Sequence, residues 1–78
     1  HLSSTSATVI RYIQETKFSF EYEVCHEVDG INKNSVIEIQ KRELSKEEIK
    51  HFKNSNVGDR LSFEVEKMIG EKIRVKLI

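Results

Sequence analysis

The chain lacks tryptophan and proline, and its 78 residues include one cysteine, Cys25, and three glycines. A single cysteine cannot close an internal disulfide, so the fold must rest on an apolar core. Gly30, Gly58 and Gly70 fall in separate turns, which excludes a glycine-rich loop cradling a phosphate. No apolar run approaches the roughly 18 residues that cross a bilayer as a helix. Net charge is absent too, because 13 Lys and Arg balance 13 Asp and Glu. That balance removes the general footprint of a nucleic-acid or anionic-membrane binder and leaves only local patches. What remains, 37% hydrophobic and 33% charged residues, is far from the disordered range. The length admits one small domain and no second.

Methionine occurs only at Met68 and the chain opens on His1, so it reads as a processed product or an excised piece. Residues 1–6 have no apolar periodicity. They are expected to form a flexible leader, a vector remnant or a natural linker in preference to a stalk, with the domain spanning residues 7–78.

Residues 7–14 are rich in β-branched side chains and apolar on both faces, with Val9 and Ile13 on one side and Ile10 and Tyr12 on the other. This predicts a central or strongly bent first strand. The clearest signal follows. Phe18, Phe20, Tyr22, Val24, His26 and Val28 alternate with Ser19, Glu21, Glu23, Cys25 and Glu27, the period of a strand with one buried face. Asp29-Gly30 opens a turn that Asn32-Lys33-Asn34 is expected to extend into a longer loop. A third strand is expected over residues 35–43, with Ile37 and Ile39 inward and Val36, Glu38, Gln40 and Arg42 outward.

Ser45-Lys46-Glu47-Glu48 then matches a capping box, with Leu44 and Ile49 at the flanking staple positions. Ile49 and Phe52 give the only apolar face, so the helix is expected to last about two turns. Asn54-Ser55-Asn56 is expected to end it. Val57-Gly58-Asp59 turns the chain into a fourth strand at 60–68 (Leu61, Phe63 and Val65 inward). The fifth spans 72–78, with Ile73, Val75 and Leu77 inward. The expected core comprises Val9, Ile13, Phe20, Tyr22, Val24, Ile37, Ile39, Ile49, Phe52, Leu61, Phe63, Val65, Ile73 and Val75.

Register in the last hairpin follows from parity. Opposed residues share a face, so a three-residue connection at 69–71 pairs Val65 with Val75 and Phe63 with Leu77. It also sets Glu66 opposite Arg74 and Glu64 opposite Lys76, and it excludes a two-residue turn at Gly70.

The order of three strands, a short helix and two strands resembles the OB-fold, a five-stranded partly open Greek-key barrel with its helix between the third and fourth strands. The resemblance is one of topology over residues 7–78. The strand ending in Ser45-Lys46-Glu47-Glu48 and the Val57-Gly58-Asp59 turn also resemble small β-barrel ectodomains that bacteria attach to membrane helices. An SH3-like barrel and an open sheet with one helix stay as alternatives.

No constellation supplies catalysis. Cys25 and His26 are strand neighbours facing opposite sides, so they cannot form a nucleophile–base dyad. His26 is expected at the barrel mouth, packed or half-exposed, and His51 in solvent. Three scattered histidines and one cysteine lack metal-ligand spacing, and no cofactor is implied. Glu21, Glu23, Glu27 and Glu38 share the outward face of strands two and three, with Arg42 as the one clear base. OB domains that bind single strands use this face, supplying aromatics and cations; here it offers carboxylates to a polyanion. Lys72, Arg74 and Lys76 form a basic stripe on strand five, expected to be cancelled by Glu64 and Glu66 across from it.

The expected function is therefore a non-catalytic interaction module for a partner protein, within a larger protein or assembly. Its contact face would be Glu21, Glu23, Glu27, Glu38 and Arg42 with the Asp29–Asn34 segment. The alternative is single-stranded nucleic-acid binding through Lys17, Met68, Ile69, Lys72, Arg74 and Lys76. The expected location is cytoplasmic, or the soluble portion of a membrane-attached or secreted protein. Residue usage rich in Lys, Ile, Glu and Asn points to an AT-rich genome, and the ectodomain likeness to bacteria.

Overall fold

A computed structural model describes residues 4–53 and 57–78 of the chain. Five strands, β1 (Thr5–Glu15), β2 (Ser19–Val28), β3 (Ile31–Gln40), β4 (Arg60–Ile69) and β5 (Lys72–Leu77), form a closed barrel. The strand order is β1-β2-β3-β5-β4, with β4 returning to β1. A single helix, α1 (Lys46–Phe52), lies between β3 and β4. All neighbouring pairs are antiparallel except β3 and β5, which run parallel. This is an OB-like barrel, and closure sets aside the open sheet.

Period-two alternation puts Phe20, Tyr22, Val24, Ile37, Ile39, Phe63 and Val75 inside. Val9, Phe52 and Ala7 complete the buried set, and Leu44, Ile49, Leu61, Ile73 and Leu77 pack against it. Ala7 belongs to the core although its small side chain gave no sign of it in the sequence. β1 begins at Thr5, so Thr5 and Ser6 of the expected leader are strand residues opposite Phe63 and Ser62. His1 lies outside the described residues.

Two bulges in β1, between Val9 and Arg11 and between Tyr12 and Gln14, correct the expected facing. Each extra residue flips the parity, so Tyr12 pairs with Tyr22 on the Val9 side, their rings meeting edge-on at 5.6 Å. Ile13 is left half-buried outside the core cluster. Such bulges let one strand bend enough to serve both β2 and β4.

The turn after β2 is tight, not a long loop. Val28 pairs with Ile31, and Asp29 (φ 51°) and Gly30 (φ 80°) supply the two left-handed residues of a type I′ hairpin. β3 consequently starts at Ile31 and ends at Gln40, where a 3₁₀ turn, Lys41–Glu43, leads to the helix. The capping box forms as read: the Ser45 hydroxyl accepts from the Glu48 amide at 3.1 Å, and the Ser45 amide donates to Glu48 Oε1 at 2.8 Å. Asn54-Ser55-Asn56 lies outside the described residues.

In the last hairpin Phe63, Glu64 and Val65 oppose Leu77, Lys76 and Val75, as parity requires. Beyond Val65 a bulge at Glu66 shifts the pairing, so that Lys67, not Glu66, faces Arg74. The bulge restores a two-residue turn at Gly70-Glu71, with Ile69 opposite Lys72. Gly70 has φ 62° at the first central position, the pattern of a type II′ turn. Val65, placed in the core by its parity, is 55% exposed. β1 pairs with β4 only as far as Phe63, so nothing on that side covers it among the described residues.

Candidate interaction face

The outer face of β2, β3 and β5 carries the densest charge chemistry of the fold. Register sets Glu21 directly opposite Glu38, two like charges in adjacent strands, which alone is destabilising. The parallel β3–β5 ladder resolves it by placing Arg74 opposite Glu38 and Lys72 opposite Val36. Arg74 Nε donates to Glu38 Oε1 at 2.9 Å, and Lys72 Nζ reaches diagonally to Glu21 Oε2 at 3.0 Å. The two long cationic side chains cover the carboxylates, leaving Glu21 4% and Glu38 8% exposed. These residues were expected to stand in solvent, and they are buried because β5, not open water, flanks β3.

The remaining members of the expected acidic face are dispersed. Glu23 lies opposite Arg11 and accepts from its Nε at 2.9 Å. Glu27 is exposed near the hairpin end of β2, and Arg42 is exposed on the 3₁₀ turn. Of the basic set, Lys76 stays opposite Glu64, while Lys72 and Arg74 pair with Glu21 and Glu38 and not with Glu64 and Glu66. The stripe is thus neutralised by β2 and β3. Spatial adjacency of β3 and β5 carries that pairing, and no local pattern in the sequence announces it. Lys17 stands 5.6 Å over the Phe18 ring, Met68 is exposed and Ile69 half-buried, so these three flank the face at its turns.

A cleft of about 230 Å³ opens at the β1–β2 turn, between Thr16, Phe18 and Gln40 and the Glu21–Lys72 and Glu38–Arg74 pairs. Phe18, expected inward, precedes β2 and is 71% exposed at its rim. The Thr16 hydroxyl accepts from the Phe18 and Ser19 amides, at 3.2 and 3.0 Å, and fixes the turn that turns this ring outward.

Cys25 and His26 both border a cleft of about 730 Å³ and take different neighbours. The half-buried Cys25 lies opposite Thr8, while His26 Nε2 is 2.8 Å from Ser35 Oγ. His51 is exposed and hydrogen-bonds Asp59 Oδ2 at 3.2 Å. Among the described residues no group of His, Cys, Asp or Glu is arranged to hold a metal ion, and no helix is long and apolar enough to cross a membrane. Comparison with family models, curated proteins and solved structures gives no match for this chain. The OB-like assignment therefore rests on the barrel topology itself.

Proposed function

We propose that this barrel is a non-catalytic module that binds a partner protein. The observation that carries the reading is the pairing of Lys72 with Glu21 and of Arg74 with Glu38. A polyanion captured on this face would have to displace two carboxylates from the cations it needs, which opposes phosphate tracking. Phe18, 71% exposed, stands at the rim of the neutralised centre, and Ile31 and Met68, 71% and 59% exposed, project elsewhere on the barrel surface. Charge balance with projecting apolar anchors suits contact with protein.

The test has two arms. A labelled oligonucleotide titrated at low salt should show no binding tighter than about micromolar. Sub-micromolar binding with a steep salt slope would instead establish the nucleic-acid alternative. In the second arm, a protein retained by the native chain should be lost by Phe18→Ser or Ile31→Ser. A chain that sediments as a solitary monomer and retains nothing in any physiological extract overturns the reading.

A further inference from the structure

β3 pairs with β2 along its whole length but with β5 only from Val36 to Ile39. β5 starts at Lys72, where the chain has just turned out of β4 at Gly70-Glu71. The β5-side edge of β3 from Ile31 to Ser35 therefore carries no strand among the described residues. The two-residue hairpin makes Val28 and Ile31 a hydrogen-bonded pair, so the backbone groups of Ile31, Lys33 and Ser35 face β2. Alternation turns those of Asn32 and Asn34 outward, as it does at Val36, where β5 takes over.

This edge is bordered by a cleft of about 530 Å³, with Lys33, Asn34, Val36 and the Arg11-paired Glu23 on one side and Met68, Glu71 and Ile73 on the other. Resting on the protein-binding reading, we propose that an extended segment of a partner protein adds here as a sixth strand, in line with β5. Its backbone would bond Asn32 and Asn34, and alternate side chains would give specificity. The segment carries an acidic residue against Lys33 and a basic one against Glu71, neither of which has an ion pair among the described residues, and an apolar residue against Met68 and Ile73.

Two contrasts favour that occupant. Beyond Phe63 the β4 edge, which pairs with no strand among the described residues, carries the Glu66 bulge with Glu64 and Lys67, the devices that discourage strand pairing; β3 from Ile31 to Ser35 has no bulge and a single charge. A second copy docked symmetrically about Lys33 would set two lysines directly opposite.

Peptides selected from a displayed random library against the full chain provide the probe. The selected peptides should protect the Asn32 and Asn34 amides from hydrogen exchange. Asn34→Pro, which removes an outward N–H that no ladder uses, should weaken them about tenfold or more, and Asn34→Ala should leave them unchanged. Lys33→Glu, which keeps the backbone intact, should cost acidic peptides a similar factor. Equal effects of Pro and Ala, no recovered binder, or a concentration-dependent dimer in place of peptide binding would overturn the proposal. Peptides that footprint on Phe18 and the Glu21–Lys72 pair would overturn the edge while leaving the protein-binding reading in place.

Discussion

The Tyr22 hydroxyl donates to the Phe52 carbonyl across 2.8 Å, tying the middle of β2 to the last residue of α1. Both residues are buried, and their rings lie 5.7 Å apart. The bond serves a carbonyl that the end of the helix leaves without an intrahelical donor. Tyr22→Phe keeps the ring and removes the donor. It should cost about 1–3 kcal/mol, read as a lower urea midpoint with an unchanged slope.

The Glu38–Arg74 pair should be far more sensitive to single than to double replacement. Arg74→Met leaves Glu38 covered, uncompensated and opposite Glu21. With the Arg74 side chain still 25% exposed, solvent screening limits the loss to about 1–3 kcal/mol. Replacing both residues by Met should recover most of it in a double-mutant cycle.

Gly70→Ala isolates backbone strain, because an added Cβ there meets nothing within 4 Å. The left-handed φ of 62° should make it cost about 1–2 kcal/mol. Glu71→Ala in the same turn should change stability little, and equal losses would contradict the type II′ geometry.

Ser45→Ala should destabilise by about 0.5–2 kcal/mol through loss of the cap. Lys46→Ala, exposed one residue further on, should have little effect. Chemical denaturation of both variants separates the capping hydroxyl from general helix propensity.

Glu15 provides the acid-side signature. A hydrogen bond from the Lys41 ammonium outweighs the cost of burial and holds its carboxyl below the ordinary glutamate value, with charge attraction from Lys41 and Lys53 adding less. A lowered folded-state value contributes stability above the unfolded value and loses it as pH falls through the folded one. Glu15→Gln should therefore be less stable than the native chain near neutrality and converge with it in acid. Denaturation curves whose separation widens toward acid would contradict the assignment.

Strands with one buried face were legible because alternation over Phe20, Tyr22 and Val24, or over Ile37 and Ile39, encodes a single environment. The helix start was legible because Ser45, Glu48, Leu44 and Ile49 act within one turn. Reading failed where an extra residue resets the parity. Tyr12 changed sides at one bulge, and Glu66 allowed the two-residue turn that strict parity forbids. It failed also at Val65, which keeps the inward parity opposite Val75 yet is 55% exposed. In the candidate site, the identities of Glu21, Glu38, Lys72 and Arg74 were visible, but not their pairing. That pairing arises from a parallel contact between strands separated by α1 and β4.

The same parallel contact governs how the chain can be made. The β2–β3 hairpin joins neighbours through two residues and should form on the order of microseconds. Joining Val36–Ile39 to Lys72–Val75 spans nearly half the chain, so loop-closure entropy is met before that ladder rewards it. During synthesis β5 leaves the ribosome after the other four strands of the barrel. Until then Ile37 and Ile39 lie on an unclosed sheet, and the full length of β3 beside them is an open template for pairing. A product truncated before Lys72 would keep that state permanently, and it should be marked by rapid proteolysis and aggregation.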